Sequence, residues 1–255
     1  MFGAETTQLT LEDDQGKTGS GLRYSIRESG RAKRCIIKIW DSSSVEVVVP
    51  KGFDRTLIPQ ILEEQTDRII RKQKESRILE RQYKPGSICI KAVGETWQVS
   101  YQHDGTGDVS VREQPGYNLL VLGSARDISS TAYALNKWVF RQAHRILPTW
   151  IETLSSKLGL TYNRLTIRRQ KTVWGSCSDK RNINVNQNLL FLPERMVHYV
   201  LLHELSHLEQ LNHSPLFWDL LETRFKGSRD MSARVRKADS FVPTWAKPQE
   251  PHKWA

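Results

Sequence analysis

From residue 21 the chain alternates between apolar and polar positions. Leu22, Tyr24 and Ile26 are separated by polar residues, and apolar runs follow at 35–40 and 45–49 after turn-forming residues. Alternation of period two, bounded by turns, predicts short strands, and three in succession predict an antiparallel meander. After Pro50-Lys51-Gly52 the period becomes helical. Leu57, Ile58, Ile61, Leu62, Ile69 and Ile70 form an apolar stripe that predicts a helix over 54–79, with Arg68, Arg71, Lys72, Lys74 and Arg77 along its far half. Alternation returns over 87–122, where Ile88 and Ile90 precede the turn at Gly94, Trp97, Val99 and Tyr101 follow it, and Pro115-Gly116 separates two further runs. That pattern predicts hairpins. From Ser130 the period is helical again, through Leu135, Trp138, Val139, Ala143 and Ile146, and Pro148 is expected to kink or restart the helix before it ends near Gly159.

The last half of the chain carries the densest pattern. A strand is expected over 165–173, then the run Trp174-Gly175-Ser176-Cys177-Ser178, a turn at 179–182 and a returning strand at 183–186. Leu192-Pro193-Glu194 opens a helix whose buried face is Val197, Val200, Leu201, Leu205, Leu208 and Leu211. It is expected to end at Asn212 in the left-handed conformation. Ser214 then caps a new helix with Pro215 at its first position. Beyond Arg224 the chain is basic and poorer in apolar residues. The expected organisation is a flexible tail (1–20), a β-rich N-terminal part with one helix (21–125), a catalytic core (126–226), and a basic, Pro- and Trp-containing extension (227–255). That extension would pack back through Phe241 and Trp245 or bind a partner.

The chemistry sits on the helix after Pro193, in H-E-x-x-H at His203, Glu204 and His207. Residues four apart share one helix face, so the two imidazoles can bind one Zn²⁺ and the glutamate can reach a metal-bound water. A catalytic zinc needs a third protein ligand. The turn at Asn212 favours His213, with Glu222 and Asp219 on the next helix as rivals. The bland alternative is a surface helix with two solvated histidines, against which stands a glutamate set among leucines. Tyr199, one turn before His203, is either an oxyanion donor or a packed core tyrosine. The run 174–178 reads first as structural, with Gly175 in a bulge, Trp174 in the core and Cys177 a small buried residue. Its other reading is a cleft wall with Ser176 or Cys177 near the metal. Asn184 and Asn186 are expected to orient loops, and Phe217 and Trp218 to anchor the third ligand from the core.

Composition narrows the setting. The formal net charge of +10 suits contact with a polyanion such as nucleic acid. Three cysteines without a C-x-x-C pair argue against a zinc knuckle or a disulfide framework and fit a reducing, cytoplasmic location. The first twenty residues have no apolar stretch of signal-peptide length, and no run approaches a membrane span.

Residues 171–218 resemble the YgjP-like zinc metallopeptidases. The run contains W-G-S-C-S, an asparagine-bearing strand, a proline, tyrosine-valine before H-E-L-x-H, and N-H-S-x-x-F-W. A looser likeness extends over residues 22–225. The resemblance implies an α+β fold with a zincin-like catalytic part and a Zn²⁺ ion, supports His203, His207 and His213 as ligands, and supports Glu204 as general base. The family is distantly similar to SprT-type and metzincin-type proteases, but Gln210 stands where metzincins carry glycine. The expected function is a zinc-dependent endopeptidase acting on polypeptide. A zinc-dependent nucleotide phosphoanhydride hydrolase and a nucleic-acid-binding module with a structural zinc are the alternatives.

Overall fold

The computed structural model describes residues 15–19, 21–39, 43–103, 108–123 and 128–247. Most of the expected N-terminal tail (1–14 and 20), Trp40 with the start of its turn, and the end of the expected extension (248–255) lie outside the described residues. The chain divides into two compact units, Met1–Arg81 and Gln82–Ala255.

In the first unit, β1 (Gln15–Lys17), β2 (Arg23–Glu28), β3 (Ile36–Ile39) and β4 (Val45–Val49) form one sheet in the order β1-β2-β4-β3. Three residues of the expected tail are therefore an edge strand. The sheet is not a simple meander, because β2 pairs with β4 in parallel while the other two pairs are antiparallel. The physical reason is the composition of β4. Val45, Val47, Val48 and Val49 are all buried, so this strand takes an interior position and its hairpin partner β3 takes the edge.

The helical stretch that follows is broken. Residues Arg55–Leu57 form a 3-10 turn capped by Asp54, whose side chain accepts from Thr56 N at 3.0 Å. Then come α1 (Ile58–Glu64) and α2 (Thr66–Tyr83), separated at Gln65. Ile58, Leu62 and Ile69 bury with the sheet valines and Tyr24. Leu57 and Ile70, expected in the same stripe, are 46% and 55% exposed. At roughly 100° per residue they fall about 100° or more to either side of the line through Ile58, Leu62 and Ile69. The basic residues Arg68, Arg71, Lys72, Lys74 and Arg77 are exposed along α2.

In the second unit, β5 (Ser87–Ile90), β6 (Glu95–Gln102), β7 (Ser110–Gln114) and β8 (Asn118–Leu122) form a sheet in the order β5-β6-β8-β7. Its pairings run antiparallel, parallel, antiparallel, repeating the arrangement of the first sheet where the sequences show no repeat. Ile88, Ile90, Trp97, Leu119 and Val121 bury in one cluster with Leu135, Trp138, Val139 and Ile146 of α3 (Ile128–Leu158). The part read from sequence as 21–125 therefore falls in two, since its second sheet shares a core with α3. Two acids fix that helix. Glu113 Oε1 accepts from Trp138 Nε1 at 2.9 Å and Gln142 Nε2 at 2.6 Å, and the Glu95 carboxylate accepts from Arg145 Nη2 at 2.8 and 3.0 Å. The helix runs through Pro148 without restarting. Buried Ile146, Leu147 and Ile151 hold it to the core on both sides of the missing N–H.

A three-stranded sheet precedes the motif helix, with β9 (Arg164–Arg168), β10 (Gly175–Cys177) and β11 (Asn182–Asn186) in the order β10-β11-β9. The strand expected over 165–173 ends at Arg168. The hairpin β10–β11 is antiparallel as expected, and β9 runs parallel to β11. Arg181 closes the hairpin at φ 58°, a conformation costly for a side-chain-bearing residue. Its guanidinium offsets this by donating to Thr161 O at 2.9 and 2.6 Å.

The 3-10 turn Gln187–Phe191 leads into α4 (Glu194–Ser206), α5 (Pro215–Arg224) and α6 (Ser228–Val235). Met231, Val235, Ala238, Val242, Trp245 and Ala246 join the main hydrophobic cluster. The segment up to residue 247 thus packs back on the core, as one of the two readings of the extension had it, with Trp245 buried and Phe241 partly buried against the cluster. Buried amides fasten it: Asn136 Nδ2 donates to Trp245 O at 2.8 Å, and Gln187 Nε2 donates to Asn136 Oδ1 at 3.2 Å. Among the described residues, no helix is long and apolar enough to cross a membrane.

Candidate metal centre

Helix α4 begins where expected, with Pro193 at its cap and Glu194 in its first turn. Its buried face is Met196, Val197, Val200, Leu201 and Leu205. It ends earlier than Asn212, because His207 is already the C-cap. Beyond it the chain tightens into a turn, with Leu208 N bonded to Leu205 O at 3.2 Å, Glu209 N to Ser206 O at 3.1 Å and Gln210 N to Ser206 O at 3.0 Å. The expected left-handed residue at Asn212 is absent; among the described residues, Tyr117 and Arg181 are the non-glycines at positive φ. The next helix starts as its sequence predicts. Ser214 Oγ accepts from Phe217 N at 3.4 Å, and Pro215 holds the first position.

These turns bring three imidazoles together. His203 Nε2 lies 3.2 Å from His207 Nε2 and 2.9 Å from His213 Nε2, and one ligand atom from each lies within 4.8 Å of the others. Metal–nitrogen bonds of about 2.0–2.1 Å at tetrahedral angles place donor atoms about 3.3 Å apart, so this set fits one ion. The tautomers fit as well. His207 Nδ1 faces the Gln210 carbonyl at 3.0 Å, which only accepts, so Nδ1 carries the proton and Nε2 keeps its lone pair. Burial, then the neighbouring His207 and His213, push His203 down to about 3 and keep it neutral. Neutral imidazole is the ligating form. Phe217 forms the floor. Its buried ring centroid lies 4.9, 4.6 and 4.8 Å from those of His203, His207 and His213.

Of the two rivals to His213, Glu222 is engaged elsewhere. Its carboxylate accepts from Gly227 N, Ser228 N and Ser228 Oγ at 2.8, 2.9 and 2.7 Å, which caps α6. Asp219 is exposed on α5. Among the described residues, the three histidines are the group placed to hold a metal ion.

Glu204 is 5% exposed, and burial pushes its carboxyl up to about 8. Its Oε2 is buried without a hydrogen-bond partner. Strand β10 passes directly over it, and a Cβ at Gly175 would lie 2.6 Å from Glu204 Oε1. Gly175 pairs with Val185 in regular register, so this glycine serves close approach rather than the expected bulge. Trp174 is partly buried against the core and donates from Nε1 to Val235 O at 3.1 Å. Ser176 Oγ accepts from Asn184 Nδ2 at 3.1 Å. Burial, then Glu204, push the Cys177 thiol up to about 11, which keeps it protonated in the metal-free protein, and it lies outside the three-histidine group.

A cavity of about 230 Å³ opens beside Glu204 and His203. Its far wall is Ser232 and Val235 of α6 with Arg236 at the helix's C-cap, which the sequence pattern did not associate with the motif. The signal was available in the spacing of Met231, Val235, Ala238 and Val242, a helical stripe. Tyr199 packs as a core tyrosine, with its ring against Phe225 at 5.4 Å between centroids, and it also lines the cavity.

The sequence profile of the YgjP-like metallopeptidase domain matches residues 33–238. The chain belongs to the YgjP-like metallopeptidase family. Membership makes it a metallopeptidase, with a metal ion and a polypeptide substrate, and the three-histidine cluster is the place that could hold the ion. Among solved structures the chain is similar to the metallopeptidase zymogen of Pyrococcus abyssi abylysin, at 28% identity over 36% of this chain and 93% of that one, with a TM-score of 0.33. It is also similar to the metallopeptidase zymogen of Methanocaldococcus jannaschii jannalysin, at 20% identity over 37% of this chain and 96% of that one, with a TM-score of 0.32. No curated protein matches the chain.

Proposed function

We propose that this YgjP-like protein is a zinc endopeptidase in which His203, His207 and His213 hold Zn²⁺ and Glu204 moves the protons. The observation that carries the reading is the convergence of three Nε2 atoms beside a buried carboxyl whose Oε2 has no partner. A site of neutral nitrogen donors with room beside it suits zinc. The ion, when bound, supplies a Lewis acid that polarises the scissile carbonyl and lowers the pKa of water and of Glu204. Glu204 takes a proton from the attacking water and delivers it to the leaving amine nitrogen. Gly175 lets the β10 backbone lie against the Glu204 carboxylate and fix its position. Edge strand β10 offers main-chain groups to an extended substrate. The Tyr199 hydroxyl, one turn before His203, stands as a donor to the developing oxyanion. The catalytic unit is residues 82–247, and three free cysteines fit a reducing cytoplasm.

The test pairs the wild type with Glu204→Gln. Both are incubated with an unfolded protein and, separately, with nucleoside triphosphates, and bound zinc is measured by mass spectrometry. The wild type cleaves the protein, and the variant loses about 10²–10⁴-fold in rate while keeping its zinc. Undiminished cleavage by the variant would remove Glu204 from the proton path. Triphosphate hydrolysis without peptide cleavage would replace the peptidase reading.

A further inference from the structure

A second cavity, of about 140 Å³, adjoins the first and shares Trp174 and Arg236 with it. It is well below the roughly 300–1,000 Å³ of a small-molecule site and suits one side chain. It is also built. Asn186 Nδ2 donates to the Gln170 and Val173 carbonyls, each at 2.9 Å, and Asn186 Oδ1 accepts from Asn188 N at 3.1 Å. These bonds hold the loop 170–173 over the 3-10 turn that carries Asn188. Asn188 is 4% exposed and lines this cavity. Its Nδ2 faces the Ala246 carbonyl at 3.5 Å, which sets the amide so that Oδ1 is the atom left over. Asn188 Oδ1 is buried without a donor, and so is Gln170 Oε1 from the facing loop. Gln170 and Asn188 both line the cavity, and two unpaired acceptors buried in its wall call for a donor.

The charges around them select which donor. Lys171, Arg236 and Lys247 line the cavity, and the one acid there among the described residues, Asp239, is paired with Lys247. An ammonium or guanidinium ligand would meet this positive rim, while a carboxylate has no hydrogen to give the two amide oxygens. A carboxamide satisfies both. Its NH₂ donates to Asn188 Oδ1 and Gln170 Oε1, and its carbonyl accepts from the cationic rim. We propose that this cavity is a specificity subsite taking a glutamine or asparagine side chain of the substrate, next to the bond cut at Glu204. The assignment rests on the peptidase reading above.

The test is a binding titration on full-length, zinc-loaded Glu204→Gln, read by fluorescence anisotropy. The probes are labelled peptides of Ala, Gly and Ser carrying a single Gln, or Met, Glu or Lys in its place. The Gln peptide binds about tenfold tighter than the other three, the yield of roughly one or two neutral hydrogen bonds. Gln170→Met and Asn188→Leu, each added to that background, bring it down to the Met peptide. Asn188 is buried, so the change at half-buried Gln170, on an otherwise exposed loop, keeps the test valid should the other variant not fold. Equal binding of the Gln and Met peptides, which a merely water-filled cavity gives, overturns the subsite. So does a preference that survives in Gln170→Met, or no binding at all. Wild-type cleavage separates the two claims. A binding preference without cleavage removes the peptidase reading and retains the subsite, and cleavage indifferent to the Gln does the reverse.

Discussion

Burial pushes the Glu204 carboxyl up to about 8, from an ordinary value of 4.5. In the metal-free protein the native state therefore keeps a proton that the unfolded chain has released over that range. The stability this contributes is complete below about pH 4.5 and is lost as the pH rises through 8. At 1.36 kcal/mol per unit the span corresponds to roughly 5 kcal/mol as an upper figure. Urea midpoints of metal-free protein at pH 5, 7 and 9 should fall steeply for the wild type. Glu204→Gln should lack this part of the decline, with its largest advantage at pH 9. Parallel pH profiles for the two proteins would mean that Glu204 ionises freely. Gly175 acts on the same carboxyl. A methyl there would lie 2.6 Å from Glu204 Oε1, so Gly175→Ala displaces the carboxylate. A displacement of the order of 1 Å lowers turnover about 10²-fold. The check is kcat alongside zinc content, which should stay at the wild-type level. The H-E-x-x-H pair was legible because a four-residue spacing on one helix is a local property. The role of Gly175 was not, because it depends on a strand from another part of the chain crossing Glu204.

At the scale of the element, α5 does more than its weak amphipathic pattern suggests. Its Phe217 touches all three imidazoles from below, and the Ser214 cap fixes where that ring sits. Phe217→Leu keeps an apolar side chain but removes the flat platform. Zinc affinity, measured by competition with a chelating dye, should fall about tenfold, the lower end of what residues that orient ligands deliver. An unchanged affinity would reduce Phe217 to core filling. The ends of α4 and α2 show where periodicity stops informing. Leu208 and Leu211 continue the apolar spacing of α4, yet the helix closes at Ser206, because hydrogen bonds to the Leu205 and Ser206 carbonyls tighten the chain into a turn. The break at Gln65 likewise leaves no mark in the pattern of isoleucines.

At the scale of the molecule, the C-terminal segment up to residue 247 is a structural member of the catalytic unit. Trp245 is fully buried, meets the Phe191 ring edge-on at 5.7 Å between centroids, and is tied to α3 through Asn136. Trp245→Ala should cost about 3–5 kcal/mol. Chemical denaturation followed by the near-ultraviolet signal checks this, and a loss below about 1 kcal/mol would mean that the segment docks without supporting the core. Because α6 walls the cavity at Glu204, the same variant should also slow cleavage at temperatures where it stays folded.

Through its family resemblance the sequence implied the α+β class, and by itself it determined most of the strand and helix runs, the histidine-glutamate motif and the cap that begins α5. Each of these local features rests on neighbours within a few residues, where backbone geometry alone sets which side chains share a face. The tertiary structure decided what those elements meet. It engaged Glu222 in capping α6, brought His213 to the pair on α4, laid Gly175 against Glu204 and ran Trp245 into the core. It also made the parallel pairings β2–β4 and β6–β8, which join strands that are not consecutive. Contacts of this kind depend on burial summed over the whole unit rather than on local spacing, so no single stretch of the chain carries their signature.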